Sequence, residues 1–293
     1  MGRYADGSPG RDWAGTVTQH LFEDWTPVSR RMSEGSRLAI ITDFDGTLAP
    51  IRRRASQARL SQRVRQALER LTADGHLVAV VSGRPLEDLE QRVGIAGVWY
   101  AGSHGYFIRA PDGWRLSLLR HEERLRILRV THGLKATLGT LPGITVEAKP
   151  GAVAVHYRMA TPAMRRRIGP IVRGALQGFP GLRVFPGRMV WEILPAGHVD
   201  KYLAARFILR VARQRDARTL AWPIYLGDDV SDEGVFARWS GLSVAVGRRP
   251  DTAARYFVKS PTEVATCLER LDDLYKTSRQ RGEAANAARI NPT

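Results

Sequence analysis

A short apolar run, Leu38-Ala39-Ile40-Ile41, delivers the chain straight into Asp43-Phe44-Asp45-Gly46-Thr47-Leu48, and no other stretch constrains the fold so tightly. Continuous and partly β-branched, the run reads as a strand buried on both faces, the mark of a parallel sheet covered by helices. The two acids begin where the strand ends. Carboxylates two apart on extended backbone point to the same side. Gly46 permits a sharp turn, and the Gly46-Thr47 backbone can aim N–H groups at an anion between this strand and the helix that follows. The layout suits phosphate chemistry, in which one carboxylate attacks phosphorus while its neighbour protonates the leaving oxygen and later activates water. A divalent cation is then needed to screen carboxylate from phosphate. For the hexapeptide taken alone, a solvated turn with an Asx cap is the alternative.

The same arrangement recurs. Residues 60–71 carry apolar side chains at 60, 64, 67, 68 and 71, an amphipathic helix that Asp74-Gly75 stops. Leu77-Val78-Ala79-Val80-Val81 is a second buried strand and ends in Ser82-Gly83-Arg84-Pro85. Val98-Trp99-Tyr100-Ala101 is a third and leads to Gly102-Ser103-His104-Gly105. Much later, Asp200-Lys201 opens a long helix, and Pro223-Ile224-Tyr225-Leu226 runs into Gly227-Asp228-Asp229-Val230-Ser231-Asp232-Glu233. Four acids in those seven residues repel each other unless a cation or arginines lie close. Strands alternating with helices, with polar clusters at strand ends, predict an α/β fold with a doubly wound parallel sheet. Two readings fit Ser82, a hydrogen bond to a phosphoryl oxygen and a plain helix cap.

From 106 the pattern changes. Strand-like segments at 106–109, 145–149, 153–158 and 189–194 alternate with helical ones at 122–138 and 162–177, and Pro111-Asp112-Gly113 signals a turn. This predicts an inserted α+β domain over 106–195, with the core formed by 37–105 and 196–275. Residues 1–36 read as a tail followed by an amphipathic helix bearing Trp13, Val17, His20, Leu21 and Trp25, with His20 a packed side chain. Residues 276–293 read as a disordered tail.

Composition narrows the function class. With 293 residues and 43% hydrophobic content the chain can bury two modest cores. Its net charge of +16 invites a nucleic-acid partner, but the arginines are scattered and no zinc-finger spacing or aromatic RNA-binding signature accompanies them, so none is expected. No apolar stretch is long enough for a membrane span and the N-terminus lacks a hydrophobic signal core, so a soluble, cytoplasmic protein is expected. Cys267 is the only cysteine and is expected to pack inside a helix. Lys201 is one of just five lysines among 45 basic residues, a compact point charge in an arginine-biased chain. An exposed lysine at a helix start is the plain reading.

Taken in order, Asp43 to Leu48, Ser82-Gly83-Arg84, Lys201 and Gly227 to Glu233 resemble the four motifs of the haloacid-dehalogenase-like phosphotransferases. The resemblance implies Asp43 as nucleophile, Asp45 as general acid and base, and Ser82 and Lys201 as holders of the transferring phosphoryl group. It implies Mg2+ on the Asp43 carboxylate, the Asp45 carbonyl and Asp228, with Asp232 steering a metal-bound water or Lys201. Glu147-Ala148-Lys149, Val155-His156-Tyr157-Arg158, Val190-Trp191-Glu192-Ile193 and the Gly-Asp-Asp-Val-Ser-Asp-Glu form of the last motif further resemble trehalose-6-phosphate phosphatases. In that family the insert is a cap that grips the sugar. Glu147, Lys149, Glu192 and Arg158 then become sugar-facing residues, with Gly83, Arg84 and His104 also at the substrate. For Glu147 and Lys149, a solvated alternating strand face is the competing reading.

Five positions depart from the family pattern: Pro150 after Lys149, Tyr202 after Lys201, Ser231, and the bulky Tyr106-Phe107 pair. They bear on the substrate rather than on the acids, and Tyr202 and Tyr106 are expected near the cap interface. The implied substrate is trehalose 6-phosphate, a disaccharide monophosphate. Alternatives are a phosphorylated pseudo-disaccharide such as validoxylamine phosphate, or a non-catalytic sensor of the same sugar phosphate.

Overall fold

The computed structural model describes residues 18–290 apart from 34–36, 53, 188, 198 and 217–221. The apolar run forms β2 (Ala39–Thr42), every residue of it buried, with Ile40 packing into the core on one face and Ala39 and Ile41 on the other. The chain then winds through α2 (Gln62–Ala73), β3 (Leu77–Val81), α3 (Leu86–Val93) and β4 (Trp99–Gly102). The Ser61 hydroxyl caps α2 by accepting the Val64 N–H at 3.3 Å, and the predicted Val64, Ala67, Leu68, Leu71 stripe is buried. After a long excursion the chain returns through α6 (Lys201–Arg215), β11 (Ile224–Gly227), α7 (Val230–Phe236), β12 (Leu242–Val246), β13 (Tyr256–Val258) and α8 (Pro261–Ile290).

With β1 (Gln19–His20), β5 (Phe107–Arg109) and β6 (Arg115–Ser117), these strands form one sheet ordered β1-β13-β12-β11-β2-β3-β4-β5-β6. From β1 to β4 every neighbouring pair is parallel, and the last two strands add antiparallel. The winding runs outward from β2 to β4, then resumes on the other side of β2 with β11. That reversal opens a crevice at the strands' carboxyl ends between β2 and β11, the place where such sheets bind ligands. One face is covered by α1 (Trp25–Met32), α2, α3 and α8, and the other by α6 and α7.

A second sheet, antiparallel and ordered β7-β8-β10-β9, comprises β7 (Thr145–Lys149), β8 (Ala152–His156), β10 (Val190–Pro195) and β9 (Leu182–Gly187). α4 (His121–Leu138) and α5 (Pro162–Ala175) lie on one face, where Ile127, Leu134, Ile168 and Val172 meet Val146, Val153, Val155 and Ile193. Alternation sends Glu147, Lys149, Ala154 and Glu192 to the opposite face. Tyr106, Ala152 and Leu194 form a small apolar joint between the two sheets.

Four expectations need correction. The boundary at 106 is misplaced, because 107–109 and 115–117 are antiparallel strands of the first sheet and the Pro111-Asp112-Gly113 turn is their hairpin tip, closed by Ala110 N–H to Trp114 O at 2.8 Å. The N-terminal helix begins only at Trp25, and His20 lies on an edge strand pairing with β13. Trp13 and Val17 lie outside the described residues. The backbone stays helical past 276, with α8 continuing to Ile290. Tyr202 packs with the α6 face of the first sheet beneath Arg206 and Arg238, whereas Tyr106 does sit at the joint between sheets. His20 is packed as expected, between Phe22 and Phe257, with Glu263 at 2.8 Å. Cys267 is fully buried in α8.

Candidate active site

β2 ends one residue before Asp43, whose N–H still pairs with Leu226 O of β11 at 2.8 Å. The backbone then coils tightly, with Leu48 and Ala49 both donating to Phe44 O at 3.0 and 2.9 Å. Gly46 serves this turn twice. Its φ of +80° suits glycine, and a Cβ there would lie 1.9 Å from Asp228 Oδ2. Asp228, at the end of β11, is therefore brought directly over the turn that follows β2. Thr47 Oγ1 donates to its Oδ1 at 3.4 Å.

Beneath these two acids lies a buried charge network. Lys201, the first residue of α6 and 3% exposed, places Nζ 2.9 Å from Asp232 Oδ1 and 3.2 Å from Asp43 Oδ1. Asp232 is saturated. Its Oδ1 also accepts from the Tyr225 hydroxyl at 2.7 Å, and its Oδ2 accepts the N–H groups of Asp228 and Asp229 at 3.1 and 3.0 Å. Burial works against the Lys201 charge, but Asp232 and Asp43 outweigh it and hold the ammonium above its ordinary range. Burial pushes the Asp43 carboxyl well up, with Asp232 and Asp228 adding to it and Lys201 pulling the other way. Burial and then Asp232 likewise drive Asp228 up to about 7.

Such a cluster fits a cation. Asp43, Asp228 and Asp232 each offer a ligand atom within 4.8 Å of the others, and buried Asp43 Oδ1 has the Lys201 ion pair but no hydrogen bond. Because both Asp232 oxygens are engaged, Asp43 and Asp228 are the carboxylates with capacity left for a metal. An oxygen-only donor set of this kind suits a hard divalent ion that keeps several waters.

The two remaining motifs close round the same crevice. Ser82 is buried and its Oγ accepts the Arg84 N–H at 3.2 Å, a local turn rather than a helix cap, since α3 starts after Pro85. Arg84 does not point into open space for substrate. Its Nε and Nη2 clamp the two oxygens of Asp45 at 2.5 and 2.7 Å, and Nη1 holds Asp88 at 2.7 Å. Arg84 thus acts as a clamp on Asp45.

His104 and Ser103 both occupy the left-handed region, with φ of +57° and +50°. Non-glycine residues rarely sit there, and two in succession mark strain held for a purpose. The strained turn projects His104 toward the second sheet, where Nε2 lies 3.1 Å from Glu192 Oε2, while Ser103 Oγ donates to Pro150 O at 2.9 Å. Gly83 is required here by close approach, since a Cβ on it would sit 2.7 Å from His104 Nε2. Lys149 Nζ holds the other Glu192 oxygen at 2.6 Å. Burial opposes the Glu192 charge, but His104 and Lys149 together hold its carboxyl well below the usual range.

Glu147 lies on the same face, two strands from Glu192, and pairs with His156 Nε2 at 2.7 Å, which lowers its pKa. Arg158 is exposed in the turn beyond β8. The sequence reading brought together Asp43, Asp45, Ser82, Lys201, Asp228 and Asp232 in one crevice. It missed Tyr225 and Asp88, and gave no side-chain role to Thr47 or His156. Tyr225 had a readable signal, a hydroxyl inside an apolar strand that must find a partner, and the last motif supplies one.

Among the described residues no helix is long and apolar enough to cross a membrane. The family model described as Trehalose-phosphatase matches residues 41–261. A trehalose-phosphate phosphatase of Mycobacterium tuberculosis is 39% identical over 287 residues, covering 89% of this chain and 72% of that protein. The Mycobacterium ulcerans protein of the same name is 38% identical over 242 residues, and the match spans 80% of this chain but only 61% of that relative. Among solved structures, the C-terminal domain of Candida albicans trehalose-6-phosphate phosphatase superposes with a TM-score of 0.74 at 23% identity, covering 89% of this chain and 99% of that one. A haloacid dehalogenase-like hydrolase from Bacteroides thetaiotaomicron gives 0.60 at 19% identity, over 80% and 99% of the two chains. With a family match running from the end of β2 into the start of α8, this chain belongs to the trehalose-phosphatase family.

Proposed function

We propose that the chain is a magnesium-dependent phosphomonoesterase that hydrolyses trehalose 6-phosphate to trehalose and phosphate, working in the cytoplasm. The observation that carries the reading is the buried Asp43 carboxylate beside a protonated Lys201, with one oxygen lacking a hydrogen bond and Asp228 held over it by Gly46. A sensor has no need of a carboxylate so disfavoured by burial.

In this reading Asp43 attacks phosphorus, and the bond from its carboxylate oxygen forms as the bond from phosphorus to the sugar oxygen breaks. Asp45 gives that oxygen its proton and then takes one from the water that attacks the aspartyl phosphate, releasing phosphate and restoring Asp43. Both Asp45 oxygens accept from Arg84, so Asp45 must rotate off the guanidinium and take up a proton from solvent before it can act as the acid; the proton it later takes from the attacking water regenerates that acid form. Lys201 brings fixed positive charge to the transferring oxygens, and the Ser82 hydroxyl orients them. Asp43 and Asp228 would hold Mg2+, with the Asp45 carbonyl as a third donor, and the bound ion would neutralise the repulsion between phosphate and the acids. The second sheet acts as the cap. Its Glu147, Lys149 and Glu192 take the sugar hydroxyls and, with His104, report their occupation across the crevice.

The test is phosphate release from trehalose 6-phosphate, sucrose 6-phosphate, glucose 6-phosphate, a nucleotide and a pseudo-disaccharide phosphate, with and without chelator. Fastest turnover of trehalose 6-phosphate, abolished by chelation and restored by Mg2+, is expected. Chelator-resistant turnover sinks the metal assignment, and preference for another ester sinks the substrate.

A further inference from the structure

One aromatic side chain stands on the face that carries the sugar-facing acids. Phe185 in β9 lies directly opposite Glu192 in the antiparallel register, so the two side chains project to the same side with Cβ atoms about 4.5–5.5 Å apart. The neighbouring Val184 turns the other way, into the core under α4 and α5. Because the Glu192 carboxylate touches His104 of the first sheet, this face looks onto the crevice that holds Asp43.

Register extends the row. Glu192 pairs with Ala154, and Ala154 with Glu147, so the order across the sheet is Glu147, Ala154, Glu192, Phe185. Ala154 leaves a shallow floor between two acids, and the aromatic ring stands at one end with 46% of its surface exposed. No other large apolar side chain in this row competes with it.

Acids and a lysine can grip the hydroxyl rim of a sugar, but a pyranose also presents flat C–H faces, and these need an apolar partner. Sites for small molecules combine a few placed polar groups with aromatic surface for that reason. We propose that Phe185 is a specificity-determining residue whose ring stacks against the C–H face of the sugar unit remote from phosphorus. The inference rests on the sugar-phosphatase reading above and extends it to a residue outside the catalytic motifs.

The experiment compares Phe185→Ala, Phe185→Leu and Phe185→Trp with the parent enzyme, measuring kcat/KM for trehalose 6-phosphate and for p-nitrophenyl phosphate. The ratio of the two should fall about tenfold in Phe185→Ala, mostly through KM, and Phe185→Trp should restore it to within about twofold. Phe185→Leu, apolar but not flat, should fall between. An unchanged ratio in Phe185→Ala overturns the proposal. So does an equal loss of kcat on both esters, which would assign the ring to packing when the sheets close. Absence of parent turnover on every sugar phosphate overturns the functional reading instead. The variants are then titrated with trehalose itself, and equal affinity across them rejects the stacking role independently.

Discussion

Burial and then Asp232 push the Asp228 carboxyl from its ordinary 3.8 up to about 7, against the pull of Lys201. A carboxyl held above its ordinary value destabilises the fold once ionised, so its penalty grows as pH rises from about 4 through 7. Asp228→Asn removes that penalty. In chelator the variant should therefore melt higher than the parent at pH 8, with the gap closing toward pH 4, while Mg2+ should raise the melting temperature of the parent only. A variant that melts lower at pH 8 would mean that the attraction of Lys201 for the ionised Asp228 outweighs burial and the repulsion. Asp43 is under the same stress, raised by burial and two neighbouring acids. Asp43→Asn should keep its circular dichroism spectrum, melt no lower than the parent, and lose turnover altogether, because an amide cannot form the acyl phosphate. Residual near-normal phosphate release from the folded variant would eliminate Asp43 as nucleophile. Function here is carried at a cost in stability, as expected of a preorganised site.

At the scale of elements, β7 and β10 each bring an acid to one sheet face, but with different attachments. Glu192 is hydrogen-bonded by both Lys149 and His104, whereas Glu147 is hydrogen-bonded by the half-exposed His156, with Lys149 acting on it only through charge. Glu192→Ala should therefore cost more than Glu147→Ala on trehalose 6-phosphate, both within about 1–3 kcal/mol in kcat/KM, with a much smaller loss on p-nitrophenyl phosphate. Steady-state kinetics on both substrates decides it, and equal proportional losses would favour a structural role. The acids at the ends of β2 and β11 were legible because continuous apolar runs announce buried parallel strands and the polar residues after them stand out. β5 was assigned to the insert, and β6 was not read as a strand at all, because an antiparallel hairpin added to a parallel sheet has the same alternating pattern as a separate sheet and β6 is only three residues long. β1, β9 and β13 escaped notice for other reasons: two are two or three residues long, and β9 carries Pro186 on an edge. The clamp of Arg84 on Asp45 was illegible, since no periodicity reveals which partner a guanidinium 39 positions away will choose.

Across the whole molecule, the core between the sheet and α1, α2, α3 and α8 seals off the only thiol. Cys267 is fully buried, and burial pushes it up to about 12. The native protein should react with a thiol probe no faster than it unfolds, so labelling rates across a urea series should track the unfolding transition. Rapid labelling in buffer would show that α8 opens locally from α2. The pairing of β2 with β11 has a further consequence, one concerning time. Ile40 finds its partner Ile224 only roughly 180 residues later, and that pairing builds the crevice. A ribosome adding ~5–20 residues per second needs on the order of ten to forty seconds to cover the distance. Throughout that interval β2 has β3 on one side and an open edge of unpaired backbone N–H and C=O groups on the other, the kind of edge that invites strand addition by another chain. Until β11 emerges, that edge is where the nascent chain is most open to pairing with the wrong strand.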